Sequence, residues 1–271
     1  MILALLTGAS ASGAEGQDTR GRGRLSEGDV TRMLSSANWR DRDEALRRLP
    51  RTSVRCAGSA LRTALIEAAW AEVRNQAPRE GFVDDQHEPG AYIMHYLWAA
   101  YDTRDPRTIS LMLETGHVSP DALADMGLEA LPPVLRAAAD LDRDSYTEGA
   151  DGFVHALLFM LVDGTPGPTE REAIASVLRK RLDGRQSYVA LTVTMEAALV
   201  HGDPGLRRAV ERIAADSSSA AQRLDEELLV PGDLDMVAFT QAYASELLAG
   251  EGGIARWRKS DPGCTVGGGE G

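Results

Sequence analysis

Helix starts and stops recur along this chain at short intervals, and no other feature constrains the fold as much. Asp105-Pro106 and Asp203-Pro204 each put a carboxylate where a helix N-cap is wanted and a proline at the first helical position; Ser119-Pro120 does so with a hydroxyl. An N-cap oxygen accepts orphan backbone N–H bonds, and the missing proline N–H costs nothing there. Thr169-Glu170-Arg171-Glu172 reads as a capping box. Gly116, Gly127, Gly184 and Gly202 follow apolar-periodic runs, where a left-handed residue closes a helix. Ser26 reads as the first N-cap, followed by Val30, Met33 and Leu34 at helical spacing. Between these marks lie about a dozen segments of roughly 8 to 20 residues with apolar positions at helical steps. There is no βαβ alternation, and "YVALTVT" at 188–194, the nearest approach to a strand, runs straight into "MEAALV". The chain is expected to be all-α.

Composition agrees. Apolar residues make up 43% of the 271 positions but aromatics only 5%, so the core must be built from Leu, Ala, Val and Ile. Strands favour aromatic and β-branched residues, whereas Ala and Leu head the helix-propensity scale. The formal charge of −12 repels phosphate backbones, so no nucleic-acid partner is expected. The arginines are mostly interleaved with acids, as in Arg40-Asp41-Arg42-Asp43-Glu44, and read as solvated faces. Arg207, Arg208 and Arg212 on one flank of the segment from 204 to 215 read the same way.

Residues 121–140, "DALADMGLEALPPVLRAAAD", are the most informative single stretch. Gly127 ends a short helix, and Pro132 is tolerated only near a helix start. Leu128, Leu131, Leu135 and Ala138 then share one face, giving a helical hairpin. "ALADMGLEALPPVLRAA" resembles the alanine–leucine–glycine–proline pattern of HEAT repeats of the phycobilisome-lyase-like kind, and "HGDPGLRRAVERIAAD" resembles their Asp-Pro turn. The interval from Asp105 to Asp203 is close to two HEAT units of about 40–47 residues each. The resemblance implies an α-solenoid of stacked antiparallel helical hairpins over residues 26–250.

The ends read differently. Residues 1–14, "MILALLTGASASGA", hold a short apolar run and small-residue cleavage sites without a basic start, as in a truncated signal peptide; a disordered N-terminus is the alternative. Export to the periplasm or beyond is expected on the first reading, a cytoplasmic location on the second. Residues 15–25 read as a disordered linker and 251–271 as a Gly-rich flexible tail. Cys56 and Cys264, the only cysteines, are expected to be free thiols. No apolar run is long enough for a membrane span.

Signals for chemistry are few. There is no P-loop, GxGxxG, nucleophile elbow or HExxH. The cluster Asp84-Asp85-Gln86-His87-Glu88 with His95 has metal-binding residue types, but its spacing matches no metal motif and an acidic cap on a helix N-terminus accounts for it. Tyr92, Tyr96, Trp98 and Tyr101 concentrate in the next segment. They point all round a helix, as in a buried central element, although such aromatics also serve as anchors for a bound peptide.

No catalytic, cofactor-binding or metal residue is therefore assigned, and no cofactor is expected. HEAT-type arrays mostly act as scaffolds, so the resemblance implies a module that binds a protein or peptide partner. The alternative it carries is a HEAT-type enzyme, bilin-lyase-like or DNA-base-glycosylase-like.

Overall fold

The computed structural model describes residues 25–49, 54–75, 91–141, 148–225 and 235–251, together with Gly253, Ala255 and Arg258. Its described residues form thirteen α-helices and no strand. In chain order these are α1 (Glu27–Leu34), α2 (Trp39–Arg48), α3 (Ser59–Asn75), α4 (Ala91–Tyr101), α5 (Thr108–Thr115) and α6 (Pro120–Asp125). A 3₁₀ turn (Gly127–Glu129) leads to α7 (Leu131–Ala138), α8 (Glu148–Val162), α9 (Pro168–Asp183) and α10 (Tyr188–His201). Last come α11 (Pro204–Ala215), α12 (Ser217–Ala221) and α13 (Met236–Leu248). The stretch "YVALTVT" is the start of α10. A lone parallel bridge joins Gln186 to Leu224.

Most of the local signals act as their chemistry requires. Ser26, Ser119 and Asp203 cap α1, α6 and α11, the Asp203 carboxylate accepting the Leu206 N–H at 2.9 Å. Gly116 and Gly202 close α5 and α10 in the left-handed region, at φ of 74° and 81°. Three signals act otherwise. Asp105 accepts the Arg107 N–H at 3.1 Å within a turn, and α5 begins only at Thr108, behind Arg107. Thr169 lies inside α9, which starts at Pro168 behind Gly167, so it forms no capping box. Gly184 has an ordinary φ of −90°; its requirement is space, because a Cβ there would collide with the Leu141 side chain.

Two helices organise the second half of the chain. In α8, Phe153, Val154, Leu157, Leu158 and Met160 are all buried, and in α10 so are Leu191, Val193, Met195 and Ala197. A helix apolar on every side must be enclosed by others. Accordingly α6, α7 and α10 all pack on α8, while α9, α11 and α13 join α10. In the first half α1 packs on α2 and α3, and α3 on α4. The segment 121–140 is, as its sequence suggests, a short helix, a turn at Gly127 (φ 64°) and a second helix opened by proline. Its inward face is shifted from the expected one. Leu131, Val134 and Ala138 are buried, Leu135 only partly so, and Leu128 is 48% exposed because it belongs to the 3₁₀ turn.

Charged side chains stitch the helices together. Lys180 Nζ and Arg181 Nη1, in the last turn of α9, donate to the Ala139 and Ala138 carbonyls at the end of α7, at 2.7 and 2.8 Å. They satisfy orphan carbonyls at the negative end of that helix dipole. Arg207, Arg208 and Arg212 of α11 remain solvated, Arg207 pairing with Glu211. The charge-rich α2 does not follow that pattern, since Arg42 and Asp43 are buried. Cys56 is disulfide-bonded, which corrects the expectation of free thiols; Cys264, the chain's other cysteine, lies outside the described residues.

Candidate functional site

Among the described residues, two places bring chemically active side chains together. The first is a cleft of about 690 Å³ between α2 and α4. On the α2 side stand Asp43, Leu46 and Arg47, continued by Leu49 and Val54 after the helix. His95, Tyr96, Trp98 and Ala99 of α4 face them, and Asp102 follows at the rim.

The wall from α4 explains the crowd of aromatics in its sequence. Tyr96 and Tyr101 are fully buried. Tyr96 donates its hydroxyl to Asp43 Oδ1 at 2.5 Å, which holds that carboxylate at the base of the cleft. Tyr101 donates to the His117 carbonyl at 2.9 Å, and burial pushes its hydroxyl pKa up to about 12. Trp98 departs from the central-helix reading: it is 44% exposed, held edge-on to Tyr101 with centroids 5.9 Å apart. His95 is also exposed. The side chain of Tyr92 and residues Asp84, Asp85, His87 and Glu88 lie outside what the structure describes. Among the described residues no group of three or more His, Cys, Asp or Glu could hold a metal ion.

The second place is a ring of charge around Arg258. Its side chain is 2% exposed, and each guanidinium nitrogen has a carboxylate. Nη1 donates to Asp121 at 2.6 Å, Nη2 to Asp125 at 2.5 Å and to Asp163 at 2.8 Å, and Nε to Asp163 at 3.2 Å. The Phe159 ring lies beneath, its centroid 5.4 Å from the guanidinium carbon. Burial opposes the charge on Arg258, yet the hydrogen bonds it donates to Asp163, Asp125 and Asp121 hold its pKa above the ordinary arginine value. Asp125 Oδ2 also accepts from Arg104 Nε at 2.9 Å and lies 3.4 Å from Arg55. His155 stacks against Phe159, with ring centroids 6.0 Å apart. Its Nε2 has no hydrogen-bond partner among the described residues, and burial lowers its pKa despite the opposing charge of Asp121.

Arg104 joins the two places. It is the only non-glycine residue at positive φ (55°) among those described, and it turns the chain out of α4. Its side chain lies 3.6 Å from Asp102 on the cleft rim and bonds Asp125 in the ring. Such a backbone conformation costs on the order of 1–3 kcal/mol and persists only where neighbours hold it. The bonds to Asp125 and to the Tyr101 carbonyl (2.9 Å) do so.

Part of the segment read as a flexible tail is thus seated on the helices. Ala255 donates its N–H to the buried Glu196 at 2.5 Å, and Gly253, at φ 93°, leaves room that a Cβ would take only 2.6 Å from that carboxylate. The sequence reading missed Glu196, although an acid inside the apolar run "TVTMEAALV" is a signal. It likewise missed Glu72, which sits in the apolar stripe of α3 and pairs with Arg42. For the Arg258 ring there was no local signal.

Comparison of the chain with protein-family models, curated proteins and solved structures finds no match. Among the described residues no helix is long and apolar enough to cross a membrane.

Proposed function

We propose that this chain is a HEAT-like helical interaction module that holds a protein or peptide segment in the cleft between α2 and α4, with no catalysis of its own. The observation that carries the reading is Trp98, an indole nearly half exposed beside apolar Leu46, Leu49 and Val54. Tryptophan is enriched among the residues that carry binding energy, in apolar settings bordered by a polar rim. Asp102 and Arg47 supply that border. Consecutive helices packing on one another, as α1 does on α2, α3 on α4 and α11 on α12, support the repeat reading. The net charge of −12 favours a protein partner over nucleic acid. A disulfide at Cys56 suits an oxidising compartment, which supports export.

Selection of peptides from a displayed library on the immobilised full chain tests the cleft. Peptides recovered should lose binding to Trp98→Ala and keep it on Phe239→Ala, a change at an exposed aromatic on α13. Peptides insensitive to Trp98→Ala would remove the cleft from the proposal.

A further inference from the structure

We propose that the ring formed by Asp121, Asp125 and Asp163 over Phe159 is a guanidinium-binding site, occupied in cis by Arg258. An arginine of another protein segment would take it when the C-terminal segment leaves. The inference is independent of the cleft.

The geometry is that of a receptor for a planar fork. Each of the three guanidinium nitrogens meets a carboxylate at 2.5–3.2 Å, from residues at the two ends of α6 and just beyond α8. An ammonium offers one nitrogen on a flexible stem and cannot span three carboxylates set around a plane. The aromatic face beneath adds an attraction that favours a flat cation. The charge balance is also set for one more cation. Arg104 and Arg55 approach Asp125 from the body of the protein and already balance that carboxylate. Without Arg258, Asp163, whose side chain is 20% exposed, and Asp121 lose the cation paired with them. A partly buried, uncompensated carboxylate draws in a cation or loses its charge.

The occupant is built to leave without dismantling the receptor. Asp121 and Asp125 are carried by α6, which packs on α8, and Asp163 follows the end of α8. Arg258 comes from the far end of the chain, 137 residues from Asp121. Among the described residues of that stretch, Ala255 donates its N–H to Glu196 and packs against the core. The ring therefore keeps its shape through helix packing, whereas the guanidinium arrives on a strap.

The test uses full-length Arg258→Ala and two probes, N-acetyl-arginine amide and N-acetyl-lysine amide, followed by calorimetry and by melting temperature. Arg258→Ala should bind the arginine probe saturably and melt higher with it, and the wild type should not bind at the same concentrations. The lysine probe should bind about tenfold more weakly or worse. Adding Asp121→Asn, at a position whose side chain is 53% exposed, should weaken the arginine probe severalfold. If Arg258→Ala is too unstable to titrate, Arg258→Lys decides. A lysine variant that melts like the wild type would show that the ring does not read the fork. A folded Arg258→Ala that binds neither probe, or both alike, would equally overturn the proposal.

Discussion

Arg42 and Glu72, thirty residues apart, form a buried ion pair that joins α2 to α3. Arg42 Nε and Nη2 both reach Glu72 Oε1, at 2.9 and 2.5 Å, while Nη1 donates to the Ser36 carbonyl at 2.6 Å. The side chains are 10% and 4% exposed, so neither charge has water to fall back on. Breaking such a pair strands a charge and costs about 3–5 kcal/mol, whereas replacing both partners with apolar residues is often neutral. Urea unfolding of Glu72→Ala should show a loss of that size, and Arg42→Met with Glu72→Leu should recover most of it. A single variant as stable as the wild type would mean that the pair is not formed in solution.

The face that 121–140 turns inward can be checked in the same way. Val134 is fully buried and Leu128 is 48% exposed. Val134→Asp should cost several kcal/mol, and Leu128→Asp less than about 0.5 kcal/mol. The stripe expected from periodicity alone would make Leu128 the sensitive position, so the relative urea midpoints distinguish the two faces.

His155 should make stability depend on pH. Burial lowers its pKa below the ordinary value of 6.5, so near and below that pH the unfolded chain takes up a proton that the folded chain refuses. Its contribution is full above 6.5 and is lost as pH falls toward the depressed folded value. Asp121 opposes the shift, and the Arg258 guanidinium lies on the same Phe159 ring. The wild type should lose more stability than His155→Gln between pH 7 and pH 5, measured from melting temperatures. Parallel curves would show that the imidazole is solvated.

Cys56 should resist alkylation under native, non-reducing conditions and become labelled after reduction and unfolding, because it is disulfide-bonded. Peptide mass mapping reads this directly. Labelling without reductant would restore the free thiol expected from the sequence. Loss of the bridge in Cys56→Ser should lower stability by about 2–4 kcal/mol.

Local chemistry is legible in the sequence. The caps at Ser26, Ser119 and Asp203 and the left-handed closures at Gly116 and Gly202 depend on groups within four residues of each other, so the sequence alone places them. The same holds for the all-α class, which follows from period and propensity. Where a local rule competed with packing, packing won. Gly184 serves Leu141 and not a left-handed turn, and Thr169 yields its cap to the proline start of α9.

The candidate sites belong to the tertiary structure. Aromatic residues crowd α4 in the sequence, but only the placement of α2 decides that Tyr96 reaches Asp43 while Trp98 stays open to the cleft. Charge alternation in α2 suggested a solvated face. Glu72 arriving on α3 makes burial of Arg42 tolerable, because a desolvated guanidinium needs a carboxylate that only another helix can bring. Arg258 shows the limit most clearly. Nothing beside it in a Gly-rich segment marks it, since its three carboxylates lie 95 to 137 residues away and meet only when α6 and α8 have packed. Helix identity is set by neighbours within a few residues, whereas ionic partners are set by which helices come together, and pairings at that range leave no period in a single sequence.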